Sequence, residues 1–277
     1  MAVVSGVIVA IVITASRIDD ALGRLSGAVG VTAHRGSSGQ APENTMAAFR
    51  LAVDQGSDFI ELDLQEAADG GLVVFHDVDL ERVTGLRSRI WQNTVEDLRR
   101  LDAGSHFGPA FSGERIPTLD EVLEFARGRV KLNLELKPHE RERHLAESVV
   151  RAVTRAGMQG DVVVTSSDGA ILERVRRLAP GLRIGRVIAA RIGRVERLDV
   201  DFYSVRSEIA TVAFVRRAHA HGREVHVFTV NDPARMRQMR DRGVDNLITD
   251  WPSRAFAVLA ERDELDELGA AVARLFQ

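Results

Sequence analysis

The chain of 277 residues contains no cysteine. This absence excludes disulfide bonds, thiolate zinc sites and cysteine nucleophiles. A bound metal ion must therefore be held by carboxylates, histidines, amides or water. Among these possibilities, a site built from oxygen ligands alone favours hard cations such as Mg²⁺ or Ca²⁺.

The sequence also lacks a surplus of basic residues, since its net charge is -3 and its pI is near 6.3. This balance argues against a protein that binds nucleic acid generally. The 37 Lys and Arg residues still allow a local cationic pocket for a phosphate group. Apolar and charged fractions of 45% and 28% are ordinary for a globular protein and exclude extensive disorder.

Long uncharged runs are absent except at the N-terminus, where residues 2–15 consist mainly of Val, Ile and Ala. This run is shorter than the roughly 20 residues of a comfortable membrane span, and no positive residues precede it as in a signal peptide. Three interpretations stay open: a membrane segment, a buried or artefactual N-terminus, and a cleaved signal. We treat residues 1–25 as a candidate membrane anchor and residues 26–277 as the catalytic fold, so the predicted location is membrane-associated or cytoplasmic.

From residue 30 onward, short β-rich runs alternate with amphipathic helical stretches. Repeated β-then-α order predicts an α/β protein with a mostly parallel sheet. The predicted strands are 29–34, 58–64, 72–76, 130–136, 162–165, 183–187, 201–205, 224–230 and 246–249. The predicted helices are 45–55, 120–127, 141–156, 168–178, 211–221 and 233–240, with N-caps at Asp168 and at Asn231 or Asp232.

One of these strands does not fit the alternation. The connection from residue 64 to 72 is too short for a helix, and its Asp69, Gly70 and Gly71 are typical of a hairpin turn. Eight barrel strands and one hairpin partner predict a distorted (β/α)₈ TIM barrel. A doubly wound open sheet is the structural alternative, although the Gly-rich nucleotide-binding loops of that class are absent.

Residues 79–117 interrupt the pattern after the third strand. The segment contains four glycines and the aromatic residues Trp91, Phe107 and Phe111. Loops of this length usually cover a functional site, and loops that follow barrel strands build the active-site face. We therefore predict a partial lid or substrate-side insertion. The charged tail, residues 261–277, is predicted to form a terminal helix outside the barrel.

Polar residues occur where the first strand ends and the next helix begins. His34 and Arg35 follow the strand, and Asn44 lies near the helix start. A histidine can transfer protons, an arginine matches phosphate oxygens, and the first amides of a helix favour an anion. Taken alone, the pattern fits a surface His-Arg pair equally well.

Further polar residues share a face on two other strands. Glu61 and Asp63 are two apart and project together, where their mutual repulsion would be relieved by a divalent cation. The predicted hairpin brings His76 beside them. On the fourth strand, Glu135 can complete the carboxylate set and Lys137 can neutralise phosphate charge. The alternative for the acidic pair and for the fourth strand is a solvated polar face, and the alternative for His76 is a single histidine that closes an edge strand.

Together these motifs resemble the glycerophosphodiester phosphodiesterase family, whose fold is a distorted TIM barrel. Their order and spacing match from about residue 30 to 253. The matching segments are Ala33-His34-Arg35-Gly36, Pro42-Glu43-Asn44-Thr45, Glu61-Leu62-Asp63, His76-Asp77, Leu134-Glu135-Leu136-Lys137, Phe228-Thr229-Val230-Asn231 and Ile248-Thr249-Asp250-Trp251-Pro252.

The resemblance implies roles for the acidic residues and histidines. Glu61, Asp63 and Glu135 match the family's ligands for one divalent cation, and His34 and His76 match its general acid and base. The residue types leave open which histidine has which role, with His34 preferred as the base.

It also implies how the substrate is held. Arg35 and Lys137 match phosphate-binding positions, whereas Glu43 and Asn44 support the loop after the first strand, with Glu43 near the metal. Phe228 stands where the family commonly has Trp, so an apolar wall for the glycerol side is kept and an indole donor is lost.

The reaction implied is metal-dependent hydrolysis of glycerophosphodiesters to glycerol 3-phosphate and an alcohol. The main alternative is the same barrel acting on lysophospholipids, a phosphatidylinositol-like lipid or a glycerol-phosphate polymer. A catalytically silent, membrane-associated binding module is the alternative from another class. The predicted partners are a small phosphodiester or lysolipid and, through residues 2–15, a membrane, but not nucleic acid; no oligomeric state is predicted.

Overall fold

The computed structural model describes residues 29–139, 144–190 and 198–261. The predicted membrane anchor and the predicted helix after residue 261 lie outside the described residues, as do residues 141–143 of one predicted helix. Within the described ranges, no helix has both the length and the apolar character needed to cross a membrane.

Strands and helices alternate along the described chain. The strands are β1 (Gly30–His34), β2 (Phe59–Glu66), β3 (Leu72–Val74), β4 (Lys131–Leu136), β5 (Val162–Ser166), β6 (Arg183–Ile188), β7 (Phe202–Arg206), β8 (Glu224–Phe228) and β9 (Asn246–Thr249). The helices are α1 (Met46–Asp54), α2 (Glu81–Thr84), α3 (Val95–Arg99), α4 (Leu119–Ala126), α5 (Leu145–Ala156), α6 (Gly169–Leu178), α7 (Val212–Ala220) and α8 (Pro233–Asp241), and another helix begins at Pro252.

Eight parallel strands close into a barrel. Going round it, the order is β1, β2, β4, β5, β6, β7, β8 and β9, and the pairing of β1 with β2 closes the ring. This closure confirms the predicted TIM barrel and excludes the doubly wound open sheet, which has two free edges. In this order β7 lies opposite β2, because each is the fourth strand from the other in both directions.

β3 is the one described strand outside the barrel, and it is the predicted hairpin partner. β3 pairs antiparallel with the last part of β2, from Leu64 opposite Val74 to Glu66 opposite Leu72. β1 pairs with only the first residues of β2, so the rest of that edge is free for β3. The hairpin turn contains Gly70 at φ 81°, a conformation that favours glycine. β3 ends at Val74, two residues earlier than predicted, so His76 lies in the loop that follows.

Helix starts follow the predicted capping residues. The Asp168 side chain accepts a hydrogen bond from the Ala170 amide, and the Asp232 side chain accepts one from the Arg235 amide. Each carboxylate satisfies a backbone donor that has no partner within its own helix. These caps set where α6 and α8 leave the preceding loops, which carry residues of the barrel mouth.

Alternation along the strands separates a helix-facing apolar layer from a more polar interior. The outward residues of each strand join one large core with the surrounding helices; Ile60, Leu132 and Val164 are examples. Inside the barrel, Phe202 stacks on His226 with ring centroids 4.3 Å apart. Gly185 faces this ring, since a β-carbon there would lie 2.2 Å from Phe202. Phe202, His226 and Gly185 therefore pack closely inside the barrel, below the ends of the strands.

The insertion after β3 packs as a small unit with its own apolar cluster. Phe75, which directly follows β3, is buried with Leu80, Ile90, Leu98 and Ile116 of the insertion. Besides α2 and α3, this segment contains the single-turn 3₁₀ helices Ile90–Gln92 and Pro109–Phe111. Because the cluster rests on β3, the insertion is fixed beside the barrel mouth.

Candidate active site

A cavity of about 640 Å³ opens at the carboxyl ends of the parallel strands. Predicted site residues from β1, β2, β4 and β8 and from the loops after β1, β3 and β4 meet there. The predicted residues that line it are His34, Arg35, Glu61, His76, Glu135, Lys137 and Phe228. None of its lining residues comes from the segment 79–117, so the insertion does not form a wall of this cavity.

Three carboxylates form a cluster at the base of the cavity. Asp63 of β2 lies directly opposite Glu135 of β4 in the strand register, and Glu61 precedes Asp63 on the same face. One oxygen from each lies within 4.8 Å of the others. Glu61 and Asp63 are almost fully buried. Such a cluster is electrostatically unfavourable unless a cation neutralises it.

Glu61 carries the clearest sign of a missing positive partner. Burial, together with the neighbouring negative charge of Asp63, raises the pKa of Glu61 to about 8. Its Oε2 accepts a hydrogen bond from the Arg35 amide at 2.9 Å, but its buried Oε1 has no hydrogen-bond partner among the residues that the structure describes. A buried carboxylate oxygen without a donor fits a metal ligand well. The residues present therefore fit a divalent cation.

Asp63 is instead surrounded by cations. Burial opposes its ionisation, but the charges of Lys137 and Arg35 hold the pKa of Asp63 below its ordinary value. The Lys137 ammonium lies 3.2 Å from Asp63 and 2.8 Å from Glu135, and the Arg35 guanidinium lies 3.4 Å from Asp63. Both cations therefore lie beside the triad, next to the cavity.

The backbone around Arg35 is unusual. Arg35 and Asn44 both adopt left-handed conformations, at φ 54° and 57°, which are uncommon for residues other than glycine. The Asn44 amide nitrogen donates to the Arg35 carbonyl, and the Asn44 side chain donates to Asp63 at 2.9 Å. Gly36 permits the tight turn, because a β-carbon there would collide with Ala48. The strained loop thus holds Asn44 against the acidic cluster.

His34 is oriented by a carboxylate from the other end of the chain. Its Nδ1 lies 2.6 Å from Oδ1 of Asp250, which follows β9. Burial lowers the pKa of His34, but the hydrogen bond to Asp250 and the nearby charge of Glu61 produce a net rise. Asp250 is itself held by Ser38 and Asn231. With Nδ1 engaged, Nε2 of His34 is the nitrogen available for proton transfer.

His76 has an equivalent partner in its neighbour. Nδ1 of His76 lies 2.7 Å from Oδ1 of Asp77, and Arg82 of the insertion donates to the other Asp77 oxygen at 2.6 Å. Arg82 also donates to both oxygens of Glu43, which in turn accepts from Arg35 at 2.9 Å. Arg82 therefore connects the loop of one histidine to the loop of the other.

The supporting residues take different positions. Glu43 binds Arg35 and Arg82 and is not part of the carboxylate cluster. Asn44 contacts Asp63 directly. Phe228, at the end of β8, provides an apolar part of the cavity wall.

Sequence reasoning assigned no role to Asp77, Arg82 or Asp250. Asp77 and Asp250 lie inside recognised motifs, and a carboxylate next to a histidine signals such a pair. Arg82 lies in a segment without periodicity, and its link to Glu43 crosses 39 residues. No pattern in the sequence indicates that contact.

Comparison with known proteins agrees with this geometry. The model of the glycerophosphoryl diester phosphodiesterase family matches residues 34–254, which include every predicted site residue. The chain therefore belongs to the glycerophosphoryl diester phosphodiesterase family, whose members are phosphoric diester hydrolases. The chain is 36% identical over 235 residues to a glycerophosphodiester phosphodiesterase of Caldanaerobacter subterraneus, a match that covers 80% of this chain and 94% of the relative.

Solved structures give the same result. A phosphodiesterase of Oleispira antarctica, in complex with the product sn-glycerol-3-phosphate, superposes with a TM-score of 0.80 and is 32% identical, covering 86% of this chain and 99% of that one. A glycerophosphodiester phosphodiesterase of Agrobacterium tumefaciens superposes with a TM-score of 0.74 at 30% identity, covering 83% and 99%.

Proposed function

We propose that the protein hydrolyses glycerophosphodiesters to sn-glycerol 3-phosphate and an alcohol with the help of one divalent cation. The observation that carries this proposal is the buried Glu61, whose free Oε1 belongs to a three-carboxylate cluster between two histidines. The relative of known structure that holds sn-glycerol-3-phosphate supports the product.

The metal ligands in this proposal are Glu61, Asp63 and Glu135. A hard cation suits three carboxylates, and we propose Mg²⁺ or Ca²⁺. When bound, the cation supplies Lewis acidity toward a phosphate oxygen and offsets the charge of the cluster. Arg35 and Lys137, which already lie against Asp63, bind the remaining phosphate charge from the protein side.

Two histidines move the protons. In the preferred assignment, Nε2 of His34 removes a proton from the nucleophile, which is water or the 2-hydroxyl of the substrate's glycerol. In the second case the cyclic phosphodiester that forms is then opened by water to give glycerol 3-phosphate. His76 then protonates the departing alkoxide oxygen. Asp250 and Asp77 hold the two rings by Nδ1, so that each ring presents its other nitrogen. Phe228 excludes water from one side of the cavity.

Product identification tests the reaction. Purified protein is incubated with glycerophosphocholine or lysophosphatidylcholine, and glycerol 3-phosphate, choline and phosphocholine are quantified. We expect glycerol 3-phosphate and choline in equal amounts from glycerophosphocholine. Release of phosphocholine, or no reaction with glycerophosphodiesters, would contradict the proposal, and faster turnover of the lysolipid would move the substrate class to lipids.

Membrane association through residues 2–15 stays a prediction. Fractionation of the full-length protein tests it, and recovery of all protein in a detergent-free supernatant would contradict it.

A further inference from the structure

Arg206 lines the cavity on the side away from the carboxylate cluster. It is the last residue of β7, and its side chain shares the inward face with Phe202 and Ser204, whereas Tyr203 and Val205 join the outer core. β7 lies opposite β2 in the barrel order. The Arg206 guanidinium therefore belongs to the cavity wall across the mouth from Glu61.

The charge of Arg206 is not balanced by a contact. Across ranges 29–139, 144–190 and 198–261, its side chain makes no hydrogen bond or ion pair, and the residue is exposed to the cavity. The other two cations of the site differ in this respect. Arg35 is paired with Glu43 and Asp63, and Lys137 is paired with Asp63 and Glu135. Among the cations of the cavity, Arg206 is therefore the one whose guanidinium has no ion-pair partner within the described residues.

The nearby carboxylate of Glu208 is not an ion-pair partner of Arg206 within the described residues. Glu208 also lines the cavity, but its Oε1 accepts a hydrogen bond from Ser207 at 3.0 Å and lies 3.3 Å from Arg235. The backbone amide of Glu208 and the hydroxyl of Ser207, with a smaller effect from Arg235, hold the pKa of Glu208 below its ordinary value. Because Glu208 pairs with Arg235, the guanidinium of Arg206 stays available to bind a ligand.

We propose that Arg206 is a second anion-binding residue, which receives an acidic group on the alcohol portion of the substrate. This inference rests on the proposed function. With the scissile phosphate beside Arg35 and Lys137, we place the alcohol portion in the rest of the cavity, whose far wall carries Arg206 and its register partner Phe228. This placement differs from the expectation that Phe228 faces the glycerol. The substrate class is a glycerophosphodiester whose alcohol bears a carboxylate or a further phosphate, since both groups accept paired hydrogen bonds from a guanidinium.

Two pairs of substrates isolate this interaction. Glycerophosphoserine and glycerophosphoethanolamine differ by one carboxylate, and bis(glycerophospho)glycerol and glycerophosphoglycerol differ by one glycerol phosphate. We expect the acidic member of at least one pair to have a kcat/KM about threefold to tenfold higher, as for one charge-assisted hydrogen bond that is partly open to solvent. A preference in the first pair shows that Arg206 binds a carboxylate, and a preference in the second pair shows that it binds a phosphate.

Substitutions at Arg206 and at a control position test whether Arg206 causes the preference for the acidic substrate of each pair. In R206Q the preference ratio should fall to less than about twofold, whereas R206K should keep only part of it, because the charge remains but the planar fork that donates paired hydrogen bonds is lost. R216Q is the matched control, since Arg216 is an exposed arginine on α7, outside the cavity. R216Q should keep the wild-type ratio. Raising the ionic strength should weaken the preference in the wild-type protein.

Three results would overturn the inference: no preference within either pair, an equal preference in wild type and R206Q, or a uniform loss on all four substrates in R206Q. Binding of the four diesters to the metal-loaded protein, measured by calorimetry, gives the same ratio without turnover. Selective binding without hydrolysis would contradict the proposed function alone. Hydrolysis of all four at equal efficiency would contradict only the role of Arg206.

Discussion

Nδ1 of His34 and Oδ1 of Asp250 lie 2.6 Å apart, and this contact joins the end of the first barrel strand to the residue after the last. Barrel closure brings the two together, because β1 pairs directly with β9. The carboxylate fixes the ring and favours its protonated form. The position of the first histidine therefore depends on the completed barrel and not on its own loop alone.

Asp250→Asn should lower kcat about tenfold to hundredfold, because the imidazole loses the charge that orients it and stabilises its protonated form. Asp250 raises the pKa of His34, so its removal should also move the limb of the pH–rate profile that belongs to His34 to lower pH. Asp245→Asn is the control, because Asp245 pairs with His219 at 2.8 Å outside the cavity. An unchanged pH–rate profile in Asp250→Asn would show that Asp250 does not stabilise the protonated form of His34.

The two histidines should each be needed for turnover. His34→Ala or His76→Ala should reduce kcat by at least about two orders of magnitude, the usual contribution of a general acid or base. His219→Ala, which also removes a histidine from a carboxylate pair, should leave kcat close to that of the wild type. Near-normal rates in both site variants would rule out the acid–base assignment.

Arg82 should act on catalysis from outside the cavity. Arg82→Ala leaves Asp77 and Glu43 without their shared donor, so His76 and Arg35 lose part of their support, and kcat should fall about tenfold. Arg87→Ala is the control, because Arg87 is an arginine of the same insertion whose one ion pair within the described residues is with the surface residue Glu81. Pre-steady-state and pH–rate measurements check the effect; if Arg82→Ala changes only the melting temperature, the residue is merely structural.

The stability of the metal-free protein should depend on pH through Glu61. Its pKa in the folded protein, about 8, lies above the 4.5 of an exposed glutamate, so the folded state holds this proton more tightly than the unfolded chain. Ionisation therefore destabilises the folded protein as the pH rises from about 4.5 to 8. Thermal unfolding at a series of pH values checks this, with Glu61→Gln as the comparison.

Glu61→Gln should flatten the dependence in this pH range, and Mg²⁺ or Ca²⁺ should restore more stability to the wild type at pH 8 than at pH 5, because a cation binds the ionised cluster. An identical pH dependence in wild type and Glu61→Gln would show that Glu61 is not the group responsible.

The barrel could be predicted from the sequence because strand alternation and turn residues are visible in short segments of the chain. Strand alternation placed Glu61 and Asp63 on one face, and the turn residues at Gly70 identified the hairpin, so the structure confirms both features. Strand ends were less certain: β3 stops at Val74 and β8 at Phe228, each two residues before the predicted end. Pairing with a neighbouring strand decides such ends, and this is not encoded locally.

The contacts that support the histidines depend on distant parts of the chain. Asp250 reaches His34 only because the barrel closes, and Arg82 reaches Glu43 only because the insertion packs on β3. The free guanidinium of Arg206 is also a property of the folded protein, since the sequence does not indicate which arginines have partners. Periodicity therefore predicts which face a residue occupies but not what it contacts across the barrel.

The metal requirement is the central claim, and the rate of glycerol 3-phosphate release before and after chelation tests it most directly. We predict that protein treated with chelator loses nearly all activity, and that Mg²⁺ or Ca²⁺ restores it. Glu135→Gln should need at least about tenfold more cation for half-maximal rate, whereas Glu96→Gln, which changes an exposed glutamate of α3, should behave as wild type. Full activity of the chelated protein would contradict the account.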